Sequence, residues 1–313
     1  MEQITTVVNE LFSNSFGYLL NPNKRVFIPY LLSSLVFAFY VYQKKSNAKN
    51  FTAYIFPKKT WLSKSAQTDY KILLFNSLLK VVFLSPILLL ATPIALFSHD
   101  LLVNNLGLNT LKHNEYLGVL LFTLSLTLVS DFCSYLLHFA MHKIPFLWEF
   151  HKTHHSATSL NPFTQYRLHP FELLLNNLKN LFIVSTLTGV FFYFYGFQIH
   201  KSTIIGVNIF HFLFLSFGAN LRHSSVKLKY FNFLEFFLIS PYQHQIHHSN
   251  KAEHFNKNMG SKLAIWDYLF GTLVRSKDVS KIQFGLGNNQ KESNSFRSNI
   301  FGPFKSIFKQ ITN

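Results

Sequence analysis

Three short histidine motifs constrain this chain more than any other feature. The first is the pair His138 and His142, and the other two are copies of the pattern HxxHH, at 151–155 and 244–248. Residues i, i+3 and i+4 share one face of an α-helix, so each motif predicts a helix that presents a patch of imidazoles. With 15 histidines among 313 residues, two copies of HxxHH beside an HxxxH are not expected by chance.

These motifs indicate metal binding, because neutral imidazole is the commonest protein metal ligand. Eight histidines exceed one tetrahedral site, which four ligands complete, so they suit two metals. No motif alone holds enough ligands, and we therefore expect the motifs to face each other across the fold. The predicted ligands are His138, His142, His151, His154, His155, His244, His247 and His248.

The metal itself is less constrained by the sequence. The single cysteine, Cys133, excludes an iron–sulfur cluster and an intrachain disulfide. Imidazole suits zinc, copper, iron and nickel, so the ligand type does not choose among them. We expect two iron ions, because a redox metal at the membrane face would meet an apolar substrate. Zinc can replace iron in such sites when a protein is purified.

Five apolar runs predict a membrane protein. The hydrophobic fraction is 49% and the charged fraction 13%, about half the charged share of a soluble domain. The runs span 26–42, 72–97, 116–137, 181–199 and 203–218. Pro86 and Pro93 predict a kink in the second run. The last two predict a helical hairpin whose second arm is short enough to be re-entrant. We predict an all-α polytopic fold with four to five membrane-embedded helices and a cytosolic, helical, histidine-rich cap that holds a dimetal site.

The net charge of +16 predicts the orientation. The 44–71 loop carries seven lysines and one acid, which favours the cytoplasm. Counting crossings places both histidine regions and the basic 219–313 region on that same side. No nucleic-acid fold motif accompanies the charge, so we expect no nucleic-acid partner. The N-terminus has no basic stretch before an apolar run, so we expect no cleaved signal peptide.

The chain divides into three predicted regions. Residues 1–115 form a membrane anchor region with two spans, and residues 116–275 contain the three histidine motifs. Residues 276–313 form a basic, loosely ordered tail with a short amphipathic piece at 300–311. Between the hairpin and the last motif, residues 228–240 predict an interfacial helix.

The motifs of residues 116–275 resemble those of the sterol desaturase and fatty acid hydroxylase superfamily of membrane di-iron enzymes. The order HxxxH, HxxHH and a later HxxHH carries the resemblance, together with flanking residues. Those residues are Asp131 and Tyr135 before the first motif, Pro145 to Ser156, Asn161, Arg167, His169-Pro170, Glu172, Ser240 to Ser249, Asn258-Met-Gly260 and Trp266 to Thr272. One departure is Lys143, where many members have arginine.

The resemblance implies an oxidoreductase that uses dioxygen to hydroxylate or desaturate a lipid C–H bond. It also implies that His223 completes the metal site. Asp131 is the only acid inside a predicted span and lies two helical turns before His138, so we expect a catalytic role as hydrogen-bond partner of a ligating histidine. We assign no ligand role to His99, His113, His200, His211 or His254, and His169 stays open between a partner of a ligand and a turn residue.

Two other functions remain alternatives. A divalent-metal transporter or metal-binding membrane protein would place ligands near the bilayer midplane on broken helices, whereas these motifs follow the ends of spans. A haem cytochrome would leave most of the histidines unused. The chain has no dinucleotide, haem-attachment or ferredoxin motif, so the enzyme needs a separate electron donor, such as a cytochrome b5-like protein, a ferredoxin or a reductase. The sequence leaves open which lipid is the substrate and whether it is hydroxylated or desaturated.

Overall fold

The computed structural model describes residues 17–45, 48–109, 114–196, 200–201, 203–204, 207–287 and 295–312. The described chain is mostly helical, as predicted, with one two-stranded antiparallel ribbon. The helices before the ribbon are α1 Ile28–Lys45, α2 Phe51–Ile55, α3 Lys58–Trp61, α4 Lys64–Leu79, α5 Ser85–Leu88, α6 Ala91–Leu106, α7 Glu115–Lys143, α8 Pro145–His155 and α9 Pro170–Tyr195. The ribbon, β1 Thr203–Ile204 and β2 Val207–Asn208, is followed by α10 Ile209–Ser216, α11 Pro241–His247, α12 Ile265–Leu269 and α13 Phe296–Thr312.

Three helical segments of the described chain are long and apolar enough to cross a membrane. They are Lys64–Leu106, Glu115–Lys143 and Pro170–Tyr195. The first combines α4, a π-helical turn at Lys80–Leu84, α5 and α6. This interruption lies where the prolines predict a kink, since the π-helical turn directly precedes Pro86, and both features disturb the helical hydrogen-bond ladder.

The spans pack closely, and their contacts fix their directions. At Gly189 of α9, a Cβ atom would lie 2.1 Å from the carbonyl oxygen of Ala95 in α6, so only glycine allows this approach. On the other side of α9, Phe191 contacts Phe122 of α7 at a ring-centroid distance of 4.9 Å. Closer to the start of α9, the Lys179 ammonium donates to Ser134 of α7 at 2.7 Å. Helix α7 therefore runs antiparallel to α9, and α6 runs parallel to α9.

These directions bring one set of ends together. Near the start of α9, Asn76 of α4 donates to the Leu168 carbonyl at 2.8 Å, whereas near its end Asn109 donates to the Tyr193 carbonyl at 3.1 Å. The 44–71 region and the end of α7 therefore lie on one side of the spans, and the α6–α7 connection lies on the other, in the relative order that the crossing count predicts.

Two predicted runs differ from expectation. The 26–42 run forms α1, whose polar residues leave it outside the candidate spans. The 203–218 run forms the ribbon and α10, an eight-residue helix only about 12 Å long. The helical hairpin expected there is wrong for the described part, because the chain pairs as strands before α10 begins. Residues 197–199, 202 and 205–206 of that connection lie outside the described residues, and the number of membrane-embedded helices stays a prediction.

The cap differs from expectation in two places. The interfacial helix expected at 228–240 is wrong, because its only described helical element is a 3-10 turn at Leu234–Phe236. There the buried Glu235 carboxylate accepts from Ser240 Oγ at 2.8 Å and from the Ser276 amide at 2.9 Å, which ties the segment into the cap. The amphipathic piece expected at 300–311 forms most of α13, which is ordered against α8 through Asn299.

The packing directions predict the labelling pattern of single cysteines introduced in place of three exposed residues. In a Cys133→Ala background, Lys49→Cys and Lys281→Cys should be protected from a membrane-impermeant maleimide in intact cells. Leu108→Cys, between α6 and α7, should be labelled. This follows because the lysine-rich side should face the cytoplasm. If one of Lys49→Cys and Lys281→Cys were labelled and the other protected, the described arrangement of spans would be wrong.

Candidate metal centre

All nine histidines predicted as ligands gather in two adjacent groups at the cap end of α7. Within each group, one ring nitrogen per residue lies within 4.8 Å of all the others. Group one consists of His138, His142, His151, His155 and His247. Group two consists of His154, His223, His244 and His248. The groups are assembled from α7, α8, the 3-10 turn at Ala219–His223 and α11, so both halves of the sequence contribute to each.

The two HxxHH motifs are shared between the groups in opposite ways. In α8, the outer pair His151 and His155 belongs to group one, and His154 belongs to group two. In and just after α11, the outer pair His244 and His248 belongs to group two, and His247 belongs to group one. Residues i and i+4 project together on a helix, whereas residue i+3 is rotated from them. The motif therefore serves two neighbouring sites at once.

Backbone and carboxylate acceptors fix the tautomers in group one. Nδ1–H of His138 donates to the Met259 carbonyl at 2.8 Å, and Nδ1–H of His247 donates to the Lys257 carbonyl at 2.8 Å. His151 Nδ1 lies 3.0 Å from Oε1 of Glu172. A neutral imidazole carries one N–H, so each Nε2 is left with a lone pair.

These lone pairs converge without donors between them. His138 Nε2 and His151 Nε2 are 3.1 Å apart, and the buried Nε2 atoms of His142, His155 and His247 have no hydrogen-bond partner among the described residues. Two acceptors cannot satisfy each other, whereas a cation between them satisfies all. The donor set of group one therefore fits a metal ion.

Group two also directs ring nitrogens at one another, but fewer hydrogen-bond partners surround its rings. The Nε2 atoms of His223, His244 and His248 form a triangle with sides of 3.1, 3.1 and 3.2 Å. Nitrogens bound to one ion at about 2.1 Å lie roughly this far apart. The Nδ1 atoms of His154, His223 and His244 are buried without a partner among the described residues. Group two therefore also fits a metal ion, with fewer hydrogen bonds orienting its rings.

The surroundings keep these imidazoles neutral. Burial lowers the pKa of His154 to about 3, and it lowers the pKa values of His151, His155, His223, His244, His247 and His248 well below the usual 6.5. Repulsion between neighbouring rings acts in the same direction. A neutral ring has a free lone pair, which is the form that binds a metal.

A loop at 257–263 supplies the carbonyls that orient His138 and His247, and polar side chains hold it. Asp267 accepts from the amides of Met259 at 2.8 Å and Gly260 at 2.7 Å. Asn258, at a positive φ of 53°, donates to the Gln243 carbonyl at 3.1 Å. A Cβ on Gly260 would lie 2.5 Å from the Leu263 carbonyl. The residues that resemble the closing signature thus position histidines through the backbone.

Asp131 does not contact a ligand histidine, which corrects the expectation from its helical spacing. Its two carboxylate oxygens accept from the amides of Lys262 and Leu263 and from Trp266 Nε1, each at 3.0 Å. The carboxylate faces the loop packed beside α7, so neighbouring amides and not an imidazole satisfy it. Asp131 reaches the site only through this loop, which carries the Met259 carbonyl that accepts from His138.

Sequence reasoning gave no role to Glu172, which pairs with His151. The available signal was a carboxylate in the first turn of an apolar helix, α9, in a strongly basic chain. Just before it, His169 is a turn residue: its Nδ1 accepts from the Phe171 amide at 3.1 Å and caps α9. Its Nε2–H donates to the Ile300 carbonyl at 3.0 Å.

The other described histidines lie outside both groups. His99 contacts Asp100 at 2.8 Å, and His254 contacts Glu253 at 3.4 Å. His200 is exposed, and His211 lies in α10. His113 lies outside the described residues.

A cavity of about 610 Å³ opens onto group one. His142, His155 and His247 form part of its wall, with Trp148 and Phe255 beside them. Ser298, Gly302 and Ser306 of α13 cover another part. Its volume is in the range of small-molecule sites, roughly 300–1,000 Å³, so a substrate could reach these imidazoles.

Replacing Asp131 by asparagine should weaken the loop without removing the histidines. An NH₂ group would replace one acceptor oxygen and face a donor, which should lower the free energy of unfolding by about 1–3 kcal/mol. Thermal unfolding should show the loss, and metal content should fall modestly or not at all. Asp100→Asn, at an exposed carboxylate, should leave both unchanged. Wild-type unfolding with complete loss of metal would instead mean that Asp131 acts directly on the ligands.

Residues 123–272 match the model of the fatty acid hydroxylase family. The chain is 29% identical to alkylglycerol monooxygenase from Xenopus tropicalis over 156 residues, which cover 50% of this chain and 31% of that protein. It is 27% identical to the human alkylglycerol monooxygenase over 188 residues, 58% of this chain and 35% of that one. Its identity to very-long-chain aldehyde decarbonylase CER1 from Arabidopsis thaliana is 26% over 186 residues, 56% and 28% of the two chains.

The matched part covers about a third of the length of these relatives. No solved structure matches the chain. All nine grouped histidines lie within the matched residues, so the match covers the part of the chain that builds the centre. Residues 123–272 thus match the fatty acid hydroxylase family, and the similar proteins all belong to the sterol desaturase and fatty acid hydroxylase superfamily.

Proposed function

We propose that this chain is an iron-dependent integral membrane oxidoreductase that uses dioxygen to hydroxylate or desaturate a lipid C–H bond. The observation that carries the proposal is the convergence of nine histidines into two adjacent groups at the end of a candidate span. The family match and the relatives named alkylglycerol monooxygenase and very-long-chain aldehyde decarbonylase support it.

Each group would hold one iron. His138, His142, His151, His155 and His247 would hold one ion, and His154, His223, His244 and His248 the other. When bound, a pair of redox-active irons supplies the activation of dioxygen that side chains alone do not provide. The chain's own part is to bind the ions, to orient the imidazoles and to restrict access to them.

Individual residues have defined parts in that arrangement. Glu172 fixes the His151 ring and makes its free nitrogen a stronger metal ligand, as a carboxylate behind a ligand histidine does. The carbonyls of Lys257 and Met259 fix His247 and His138 in the same way. Trp148 and Phe255 line the cavity and would keep an apolar chain beside group one.

The reaction balance implies a partner. In hydroxylation, a C–H bond gives a C–OH group and one oxygen atom leaves as water. In desaturation, two C–H bonds give a C=C bond and both oxygen atoms leave as water. Each reaction consumes one dioxygen, two protons and two external electrons, so a separate electron donor is required. A cytochrome b5-like protein, a ferredoxin or a reductase could supply those electrons.

A divalent-metal transporter is the weaker alternative. Transported ions bind near the bilayer midplane, at breaks in helices. Here α7 continues unbroken past His138 and His142 to Lys143, and the break in the described spans, at Lys80–Leu84, contributes no residue to either group.

The proposal also includes the division into 1–115, 116–275 and 276–313 and a cytoplasmic position of the histidine groups, which the lysine-rich loops favour.

Metal analysis and turnover test the proposal together. Protein loaded under reducing conditions should hold about two irons per chain, because the two groups offer two complete donor sets. With an added electron donor and dioxygen, it should convert a lipid extract into hydroxylated or desaturated products, detected by mass spectrometry. Zinc in an overexpressed sample would be compatible with this, since zinc displaces iron in histidine sites. Iron-free protein with full activity would refute it.

Single alanine substitutions should show that both halves of the sequence serve the centre. His142→Ala and His247→Ala should each lower the occupancy of group one, and His154→Ala should lower that of group two, because each removes a ligand. All three should abolish turnover. His200→Ala and His113→Ala should change neither metal content nor turnover, since neither position belongs to a motif. Full metal and activity in His247→Ala, with loss of both in His142→Ala, would exclude the last motif from the centre.

A further inference from the structure

Besides Lys179 of α9, whose ammonium donates to Ser134, three cationic side chains interact with Asp131, which precedes His138 by seven residues in α7. They are Arg25, just before α1, Arg222, in the turn that carries His223, and Lys262, in the loop before α12. They come from three separate parts of the sequence, so their meeting is a product of the fold.

Hydrogen bonds tie the segments that carry these side chains. The Asn220 amide group donates to the Arg25 carbonyl at 2.5 Å. Arg222 Nη2 donates to the Ser261 carbonyl at 2.8 Å, and the backbone amide of Lys262 donates to Asp131 Oδ1 at 3.0 Å. These contacts hold the segments that carry the three cations close to Asp131.

The single negative charge of Asp131 does not balance the three positive charges around it. Asp131 is the one carboxylate that acts on all three cations among the described residues, and both its oxygens already accept hydrogen bonds from the 262–266 segment. Arg222 is 4% exposed and lies over the Phe214 ring at 5.2 Å. Arg25 Nη1 is buried, and no described residue accepts a hydrogen bond from it.

Electrostatics agree with this geometry. Burial lowers the pKa of Lys262, and although Asp131 opposes that effect, Arg25 and Arg222 add to it. Burial and then Arg25 lower the pKa of Arg222. Arg222 is buried, and Arg25 and Lys262 are half-buried. Uncompensated cations away from water are costly, and ionisable groups at membrane depth usually serve a ligand or a pathway.

The cluster lies at the depth of a candidate span. Asp131 precedes His138 by seven residues of α7, about 10 Å toward the membrane interior, in a segment that is long and apolar enough to cross the bilayer. Phe214, which the Arg222 guanidinium covers, belongs to the apolar helix α10. A ligand here would have its charged group against the cations and its apolar part among the helices.

We propose that Arg25, Arg222 and Lys262 bind the anionic group of a membrane amphiphile, a phosphate or a carboxylate. Guanidinium groups suit such oxyanions because their N–H groups donate in a planar fork. The ligand supplies the negative charge that the cluster lacks, and its hydrocarbon tail extends along α10. Binding at this site does not depend on metal or turnover, so it can be tested whether or not the proposed function holds.

The test is native mass spectrometry of the full chain with its metal complement, purified in a neutral maltoside detergent. Phosphatidic acid and oleate should bind with at least about tenfold higher affinity than zwitterionic phosphatidylcholine. Arg25→Gln and Lys262→Gln should each lower the affinity for both anionic lipids about tenfold, because each removes a charge-assisted hydrogen bond. Lys281→Gln, at an exposed lysine, should bind like the wild type.

Two further arms separate binding from folding and lipid from free anion. Lys262→Arg should restore the affinity that Lys262→Gln loses, while metal content and thermal unfolding stay the same in both variants. Inorganic phosphate alone should not displace phosphatidic acid at equal concentration. Equal affinity for phosphatidylcholine, unchanged affinity in both glutamine variants, no rescue by arginine or full displacement by inorganic phosphate would each overturn the proposal.

Discussion

Burial of many imidazole lone pairs at two points is the constraint on which the rest of this structure depends. Nine neutral rings from α7, α8, α11 and the turn at Ala219–His223 direct nitrogens at one another, and acceptors facing acceptors in a low dielectric are unfavourable. A cation in each group would reverse that balance. Metal binding would then contribute directly to folding, because the ligands come from elements that are far apart in sequence.

The outer layer of the centre is organised by one membrane helix. Helix α7 carries His138 and, two turns earlier, Asp131, and both side chains hold the loop that precedes α12. That loop in turn fixes His247 through the Lys257 carbonyl. The register of α7 therefore determines the orientation of a histidine from the far end of the sequence. Asp267 and Gly260 allow this by keeping the loop in one backbone conformation.

The sequence predicted the composition of the centre because helical spacing alone puts His151 beside His155 and His244 beside His248. It did not predict which group His154 and His247 join, since that depends on the angle between α8 and α11. For His223, only the family resemblance indicated a place in the centre, because a single histidine has no periodicity.

The errors have a common physical origin in tertiary contacts. Asp131 has the spacing of a histidine partner, yet the amides of Lys262 and Leu263 satisfy it. Residues 228–240 have the composition of an interfacial helix, yet buried hydrogen bonds to Glu235 hold them in another conformation. Periodicity describes one segment at a time, and in both cases the deciding partner lies elsewhere in the chain or in a following loop.

His154 and His155 are consecutive, as are His247 and His248, and in each pair one ring belongs to each group. The two groups are therefore joined at two places by a single peptide unit, which fixes neighbouring Cα atoms about 3.8 Å apart. This fixed Cα–Cα distance therefore limits how far apart the two groups can move at both places. Thermal motion of the cap can move the pair of sites as one body, and the gap between them changes only through rotation of the side chains. A bimetallic reaction that needs its two sites at a constant separation would gain from this linkage, because bond lengths vary far less than side-chain packing.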